Sequence, residues 1–244
     1  MPRAVVFAAL DWECRAVLHA LRGVERRGGL PTPAWRGEAA IGEVLVVQTG
    51  VGWPYATAAA AAVDLASCEL VISTGCAGGL APSLRPGDLV IASAVHAQDT
   101  SHATDGAARE RLLALATQGG LSVCAGPIRC SPVMLGSHAE KRAAAAAGGL
   151  IVEMEAAPIG LAAARAGRPF ASVRAVIDGA DDDLTLLTGL VDPNTGRVRP
   201  GALVRQLVRR PRTIAELLAL RQWQLAARDS LRRFFGLYFG QIAS

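Results

Sequence analysis

Between Ile151 and Asp178 the chain reads IVEMEAAPIGLAAARAGRPFASVRAVID, and no other stretch constrains the fold as much. The carboxylate cluster Glu153, Met154 and Glu155 opens an alanine-rich helix. A short turn then leads into an apolar strand whose last residue before a glycine is Asp178. Two carboxylate sites therefore reach the same edge of a sheet, one on a helix N-terminus and one at a strand C-terminus. Ligands of open α/β sheets collect at that edge. Paired carboxylates there suit sugar chemistry, one gripping ribose hydroxyls and the other giving a proton to a leaving group.

The rest of the chain repeats the alternation. Residues 3–9, 42–49, 69–74, 87–94 and 121–128 read as strands, and 69–74 is wholly apolar, as expected when helices cover both faces of a sheet. Residues 11–21, 107–118 and 138–147 read as helices, as does a segment with Pro54 in its first turn that runs to about residue 66. The polar stretch 98–106 reads as a loop. This pattern predicts a three-layer α/β/α sandwich with a mixed, mostly parallel central sheet. At 244 residues the chain can bury one full core, so a single domain over 1–244 is expected, with 200–244 a helical C-terminal extension. Within that extension 191–196 reads as a turn and 202–208 as a helix start. Thr213 can cap a long helix that ends near residue 239.

Three blocks carry a resemblance. Val152-Glu153-Met154-Glu155-Ala156-Ala157 precedes a strand ending Arg174-Ala175-Val176-Ile177-Asp178. Ser73-Thr74-Gly75-Cys76-Ala77-Gly78-Gly79-Leu80-Ala81-Pro82 runs into Pro86-Gly87-Asp88-Leu89-Val90, and Ala9-Leu10-Asp11-Trp12-Glu13 follows the first strand. In order and spacing the chain resembles the family of purine and uridine phosphorylases and methylthioadenosine/adenosylhomocysteine nucleosidases. The match extends from about residue 3 to 182.

The resemblance implies an enzyme that cleaves an N-glycosidic bond. It makes Asp178 the acid near the purine and Glu13 the base that directs water. Glu155 becomes the ribose clamp, with Met154 and Glu153 beside it. Val133, Met134, Cys76 and Ala77 fall at the base, and Gly50, Gly52, Thr74 and Gly75 at a phosphate or water site. Burial must raise the proton affinity of Asp178 for it to act as an acid. The family's serine before the acid is Ile177 here, which removes a hydroxyl that helps orient it. No metal or organic cofactor is implied, and phosphate stays open as a co-substrate.

The remaining features bear on the nucleoside. The 98–106 segment is some twenty residues shorter than in the methylthioadenosine nucleosidases, where part of it closes over the 5′-substituent. The last helix combines Arg232 and Arg233 with Phe234, Phe235, Tyr238 and Phe239. With Ile177, these features resemble the hopanoid-associated phosphorylase branch and imply an adenine nucleoside with a lipid on its 5′-carbon. The aromatics then line a greasy exit or rest on a membrane surface; the alternative is that they dock the helix onto the core or a subunit partner. The main rival is a methylthioadenosine/adenosylhomocysteine- or futalosine-type nucleosidase, followed by a non-catalytic nucleoside-binding protein. A net charge of only +4 and the lack of a recognised motif place nucleic-acid binding last. The five cysteines form no C-x-x-C pair, which points to reduced thiols in the cytoplasm. Cys14 and Cys76 read as small packing residues. The N-terminal apolar run, broken by Asp11 and Glu13, is too short for a leader or a membrane span. A homo-oligomer is expected, with contact at the inner membrane face through the last helix in the lipid reading.

Overall fold

A computed structural model describes residues 1–98, 100–184 and 213–240, with side chains from 218 onward in the last helix. The first strand shows how the layers are built. All five residues of β1 (Ala4–Ala8) are buried. Side chains alternate across a strand, so Val5 and Phe7 enter one hydrophobic cluster while Val6 and Ala8 enter another. The first cluster is completed by α2 (Trp53–Ala61) and α5 (Ala156–Arg165). The second is completed by α1 (Asp11–Leu18), α3 (Gly106–Gln118) and the long α6 (Thr213–Phe239). Alanines on α2 and α5 bring those helices close to the sheet, and Gly160 lets Phe170 approach within 3.0 Å of where a Cβ would stand.

β5 (Leu70–Gly79) organises the sheet. Its residues 70–74 pair in parallel with β1, which itself pairs in parallel with β4 (Gly42–Gln48). The opposite edge pairs in parallel with β10 (Phe170–Asp178) along almost its whole length. At Gly78 and Gly79 a further strand joins antiparallel, β9 (Ile151–Glu153). β6 (Leu89–His96) and β8 (Val123–Cys130) then connect β10 back to β9. The pairings β5, β10, β6, β8, β9 thus close on themselves, and β1, β4 and a hairpin of β3 (Ala34–Ala39) and β2 (Arg22–Arg26) extend from β5 as an open sheet. The parallel centre and helices on both faces are the expected architecture.

The differences have local causes. β2 is exposed at all five residues, so the hairpin carries no apolar alternation to announce it. The 98–106 segment, expected as a loop, contains β7 (Ser101–Ala103), a short edge strand on β6. The strand expected over 69–74 continues to Gly79, because three of its last five residues are glycines that read as a turn. The acidic cluster does not open the helix directly. Glu153 ends β9, Glu155 takes the N-cap, and α5 begins at Ala156. The 191–196 turn and the 202–208 helix start lie outside the described residues.

The last helix settles where its aromatics go. Phe234, Phe235 and Phe239 are fully buried with Leu231 in the cluster shared with α1 and α3, and Tyr238 stacks on Phe234. They neither line a substrate exit nor face a membrane. Each buried phenylalanine contributes about 1.5–3 kcal/mol, and the arginines stay on the outer side. No described helix is long and apolar enough to cross a membrane.

Candidate active site

β1 leaves β5 after Thr74, and β9 joins the same edge only at Gly78. Between them, residues 75–77 have no strand on that edge, while β10 pairs with them on the other. Strand topology reverses at such a break, where α/β proteins place their ligands. Glu13 fills it. One turn into α1, its carboxylate folds back so that Oε2 accepts the N–H groups of Ala9 (3.0 Å) and Leu10 (2.9 Å). Oε1 accepts the Cys76 N–H at 2.8 Å, in place of the missing strand. Gly75 makes room, with φ +144 and a missing Cβ that would fall 2.8 Å from Glu13 Oε1 and 2.9 Å from an Arg174 nitrogen. Burial pushes the Glu13 carboxyl above the usual range, against the pull of the Cys76 and Leu10 N–H groups and of Arg174.

Arg174, fully buried in mid-strand, is the centre of the cluster. It donates to Glu153 Oε2 (2.6 Å), Ser73 Oγ (2.7 Å) and the Thr74 carbonyl (3.2 Å), and lies 3.7 Å from Glu155 Oε2. Glu153 Oε2 also accepts the Glu155 and Ala156 N–H groups at 2.9 and 2.8 Å, which fixes the first turn of α5. Glu155 Oε1 accepts the Gly52 N–H at 2.8 Å. Three buried carboxylates lie around one guanidinium. The Glu155 carboxyl is pushed up to about 7, first by burial and then by Glu153 and Glu13, with Arg174 opposing.

Asp178 closes β10 opposite Gly78, the residue that β9 meets from the other side through Val152. Its carboxylate packs where a side chain at 78 would be, 3.4 Å from the missing Cβ. Burial pushes its pKa up to about 6, with Lys141 pulling it down. Lys141, on α4 (His138–Ala146), is almost fully buried and forms an ion pair with Asp178 Oδ2.

The break in the sheet thus gathers Glu13, Glu155, Thr74, Gly75 and Cys76. Met154 joins them, its Cε 3.7 Å from the missing Cβ of Gly52. Glu153 Oε2 is held by the Glu155 and Ala156 N–H groups and by Arg174, so it braces the helix and the arginine, while Oε1 is buried without a hydrogen-bond partner among the described residues. The Gly50 N–H is bonded to the Ala9 carbonyl and the Gly52 N–H to Glu155, so neither is free for phosphate. Cys76 stands at Glu13, its N–H donated to Oε1. Val133 and Met134 are exposed on the turn between β8 and α4, and Ala77 is buried in the core. Among the described residues no group of His, Cys, Asp and Glu is arranged to hold a metal ion.

Two residues escaped the sequence reading. Arg174 was legible as part of the quoted strand, but its role needs a charge count over three distant acids. Lys141 had a compositional signal, since it is the chain's single lysine.

A ringed α/β sheet with buried acids at its topological break defines the class: an α/β protein with its ligand site at a switch point. The phosphorylase superfamily model matches residues 3–209, and the chain belongs to that superfamily. It is 29% identical over 199 residues to the 5′-methylthioadenosine/S-adenosylhomocysteine nucleosidase of Pseudoalteromonas translucida, covering 71% of this chain and 83% of the relative. The crystal structure of 5′-methylthioadenosine/S-adenosylhomocysteine nucleosidase from Neisseria meningitidis, in complex with methylthio-immucillin-A, superposes with a TM-score of 0.75. That pair is 22% identical, over 97% of this chain and 98% of the other. A futalosine hydrolase mutant of Helicobacter pylori superposes with a TM-score of 0.65 at 18% identity, over 74% and 90% of the two chains.

Proposed function

We propose that the chain is a nucleosidase that hydrolyses the N-glycosidic bond of a 5′-modified adenine nucleoside. The observation that carries this reading is Glu13. It is buried, fixed by three backbone N–H groups at the break in the sheet, and burial raises its proton affinity in the direction a base for water needs. A phosphate dianion in its place would meet Glu13 and Glu155, while Arg174 is already bound to Glu153, Ser73 and Thr74. Water suits this charge pattern and phosphate does not.

In the reaction, Asp178 gives its proton to a purine ring nitrogen as the bond from C1′ to N9 breaks, and the bonding pair leaves with the base. The ribose passes through an oxocarbenium-like state while Glu155 accepts hydrogen bonds from its hydroxyls. Glu13 takes a proton from the water that adds to C1′, giving adenine and the free sugar.

The relatives named for methylthioadenosine, adenosylhomocysteine and futalosine favour a 5′-group much smaller than a lipid. A lipid-linked nucleoside draws on the shortened 98–106 segment and on Ile177, and loses its aromatic exit to the core. The deciding experiment measures adenine release from 5′-methylthioadenosine with and without phosphate and identifies the sugar. Free methylthioribose formed without phosphate is expected. A sugar 1-phosphate appearing only when phosphate is present would overturn hydrolysis.

A further inference from the structure

Lys141 is the one lysine among 25 lysines and arginines, and it is 2% exposed. Its ammonium has three N–H groups and three acceptors: Asp178 Oδ2, the Gly179 carbonyl at 2.7 Å and the Asp182 carbonyl at 2.8 Å. A tetrahedral ammonium fits such a converging cage. The planar fork of arginine, used everywhere else in this chain, does not.

We propose that Lys141 is the positioning residue of the acid: it aims Asp178 and meets the negative charge left there when the proton passes to the leaving base. This rests on the reading of Asp178 as the acid. Oδ2 is held by Lys141, while Oδ1 makes no hydrogen bond among the described residues and is the oxygen left to carry the proton. Lys141 thereby takes the place of the hydroxyl that Ile177 lacks. As the O–H bond breaks and the N–H bond on the purine forms, the carboxylate becomes fully charged beside a fixed cation. The ammonium therefore favours the transition state over the protonated ground state.

The other groups near Asp178 are few. Asp182, in the turn after β10, spends Oδ2 on the Gly179 N–H. β5 presents only Gly78 and Gly79 there. On α4, Glu140 is bound to Ser137 and Gly136, and His138 lies 4.0 Å from Asp183. The Arg174 cluster belongs to the neighbouring part of the site. Lys141 is the strongest influence opposing burial at Asp178.

The first test compares pH profiles of kcat/KM for 5′-methylthioadenosine in the wild type and Lys141→Met. The variant should lose ~10-fold or more of kcat on its acidic plateau, as expected for a weakened acid, and its alkaline limb should move up by about one pH unit or more. Lys141→Arg, which cannot enter the cage, should not restore the wild-type limb. An unmoved limb with only a lower Tm would mean a structural role and overturn the proposal.

The second test needs no turnover. Protein grown with lysine labelled with nitrogen-15 at Nζ has a single side-chain resonance. It should titrate near pH 6 in the wild type and lose that step in Asp178→Asn. A step that persists in Asp178→Asn comes from another group and overturns the pairing, as does a resonance with no step. If Lys141→Met does not fold, this measurement decides alone. A titrating resonance in a protein that releases no adenine supports the pairing and defeats the proposed function instead.

Discussion

The site holds two kinds of buried acid, and they are balanced in opposite ways. Glu13, Glu153 and Glu155 surround one arginine, which also donates to Ser73 and the Thr74 carbonyl, whereas Asp178 has a lysine to itself. Burial is the largest influence on Glu13, Glu155 and Asp178 alike and raises each. Around Glu155 the neighbouring carboxylates add to it, while at Asp178 a single lysine opposes it. The two sides differ in how many carboxylates each cation serves.

The comparison breaks first at the arginine. Arg174→Met would leave three buried carboxylates without a cation, and breaking a buried ion pair typically costs ~3–5 kcal/mol. Urea unfolding should show a loss of that size, and an unchanged midpoint would mean the acids were never held by charge. The two sides are separated next by activity. Asp178→Asn should lower adenine release by ~10²–10⁴-fold while nucleoside binding stays measurable, and Glu13→Gln should lower it toward the small end of that range. Product assays by chromatography check both; turnover surviving in Asp178→Asn would remove it from the chemistry.

The smallest effect lies in the pH dependence of stability. Glu155 and Asp178 have folded pKa values of about 7 and about 6, above their unfolded values of 4.5 and 3.8. Between those limits the folded state binds more protons than the unfolded state. Their contribution is therefore greatest below pH 4 and is lost as pH rises toward 7. Glu155→Gln should flatten the upper part of this decline and gain stability at pH 8 relative to the wild type, readable as a shift in Tm. An equal slope in wild type and variant would show that Glu155 does not hold its proton.

How much of this was legible follows from where each signal lies in the chain. The apolar strands and alanine-rich helices announce the layers, because burial on both faces leaves a continuous apolar record at β1 and β5. The exposed β2 leaves none. Candidate acids were legible through motif strings, since Val152–Ala157 and Arg174–Asp178 are short and contiguous. What local sequence could not reveal is what each acid touches. Glu153 and Glu155 are two residues apart, yet one is turned inward by Arg174 and the other reaches Gly52, 103 positions away. The exit imagined for the aromatic tail failed for the same reason: the spacing of Phe234, Phe235 and Phe239 marks an apolar face without saying what covers it.

The burial of α6 has a consequence for synthesis. Ala227, Leu231, Phe234, Phe235 and Phe239 seal the α1 side of the sheet, but they are translated after every strand the structure describes. A nascent chain can pair its strands and cover the α2 and α5 side while still on the ribosome. The opposite side, which α1 and α3 cover in part, lacks the layer that α6 adds until those residues emerge. Chains cut short by premature termination before α6 would present a greasy sheet face to chaperones and proteases.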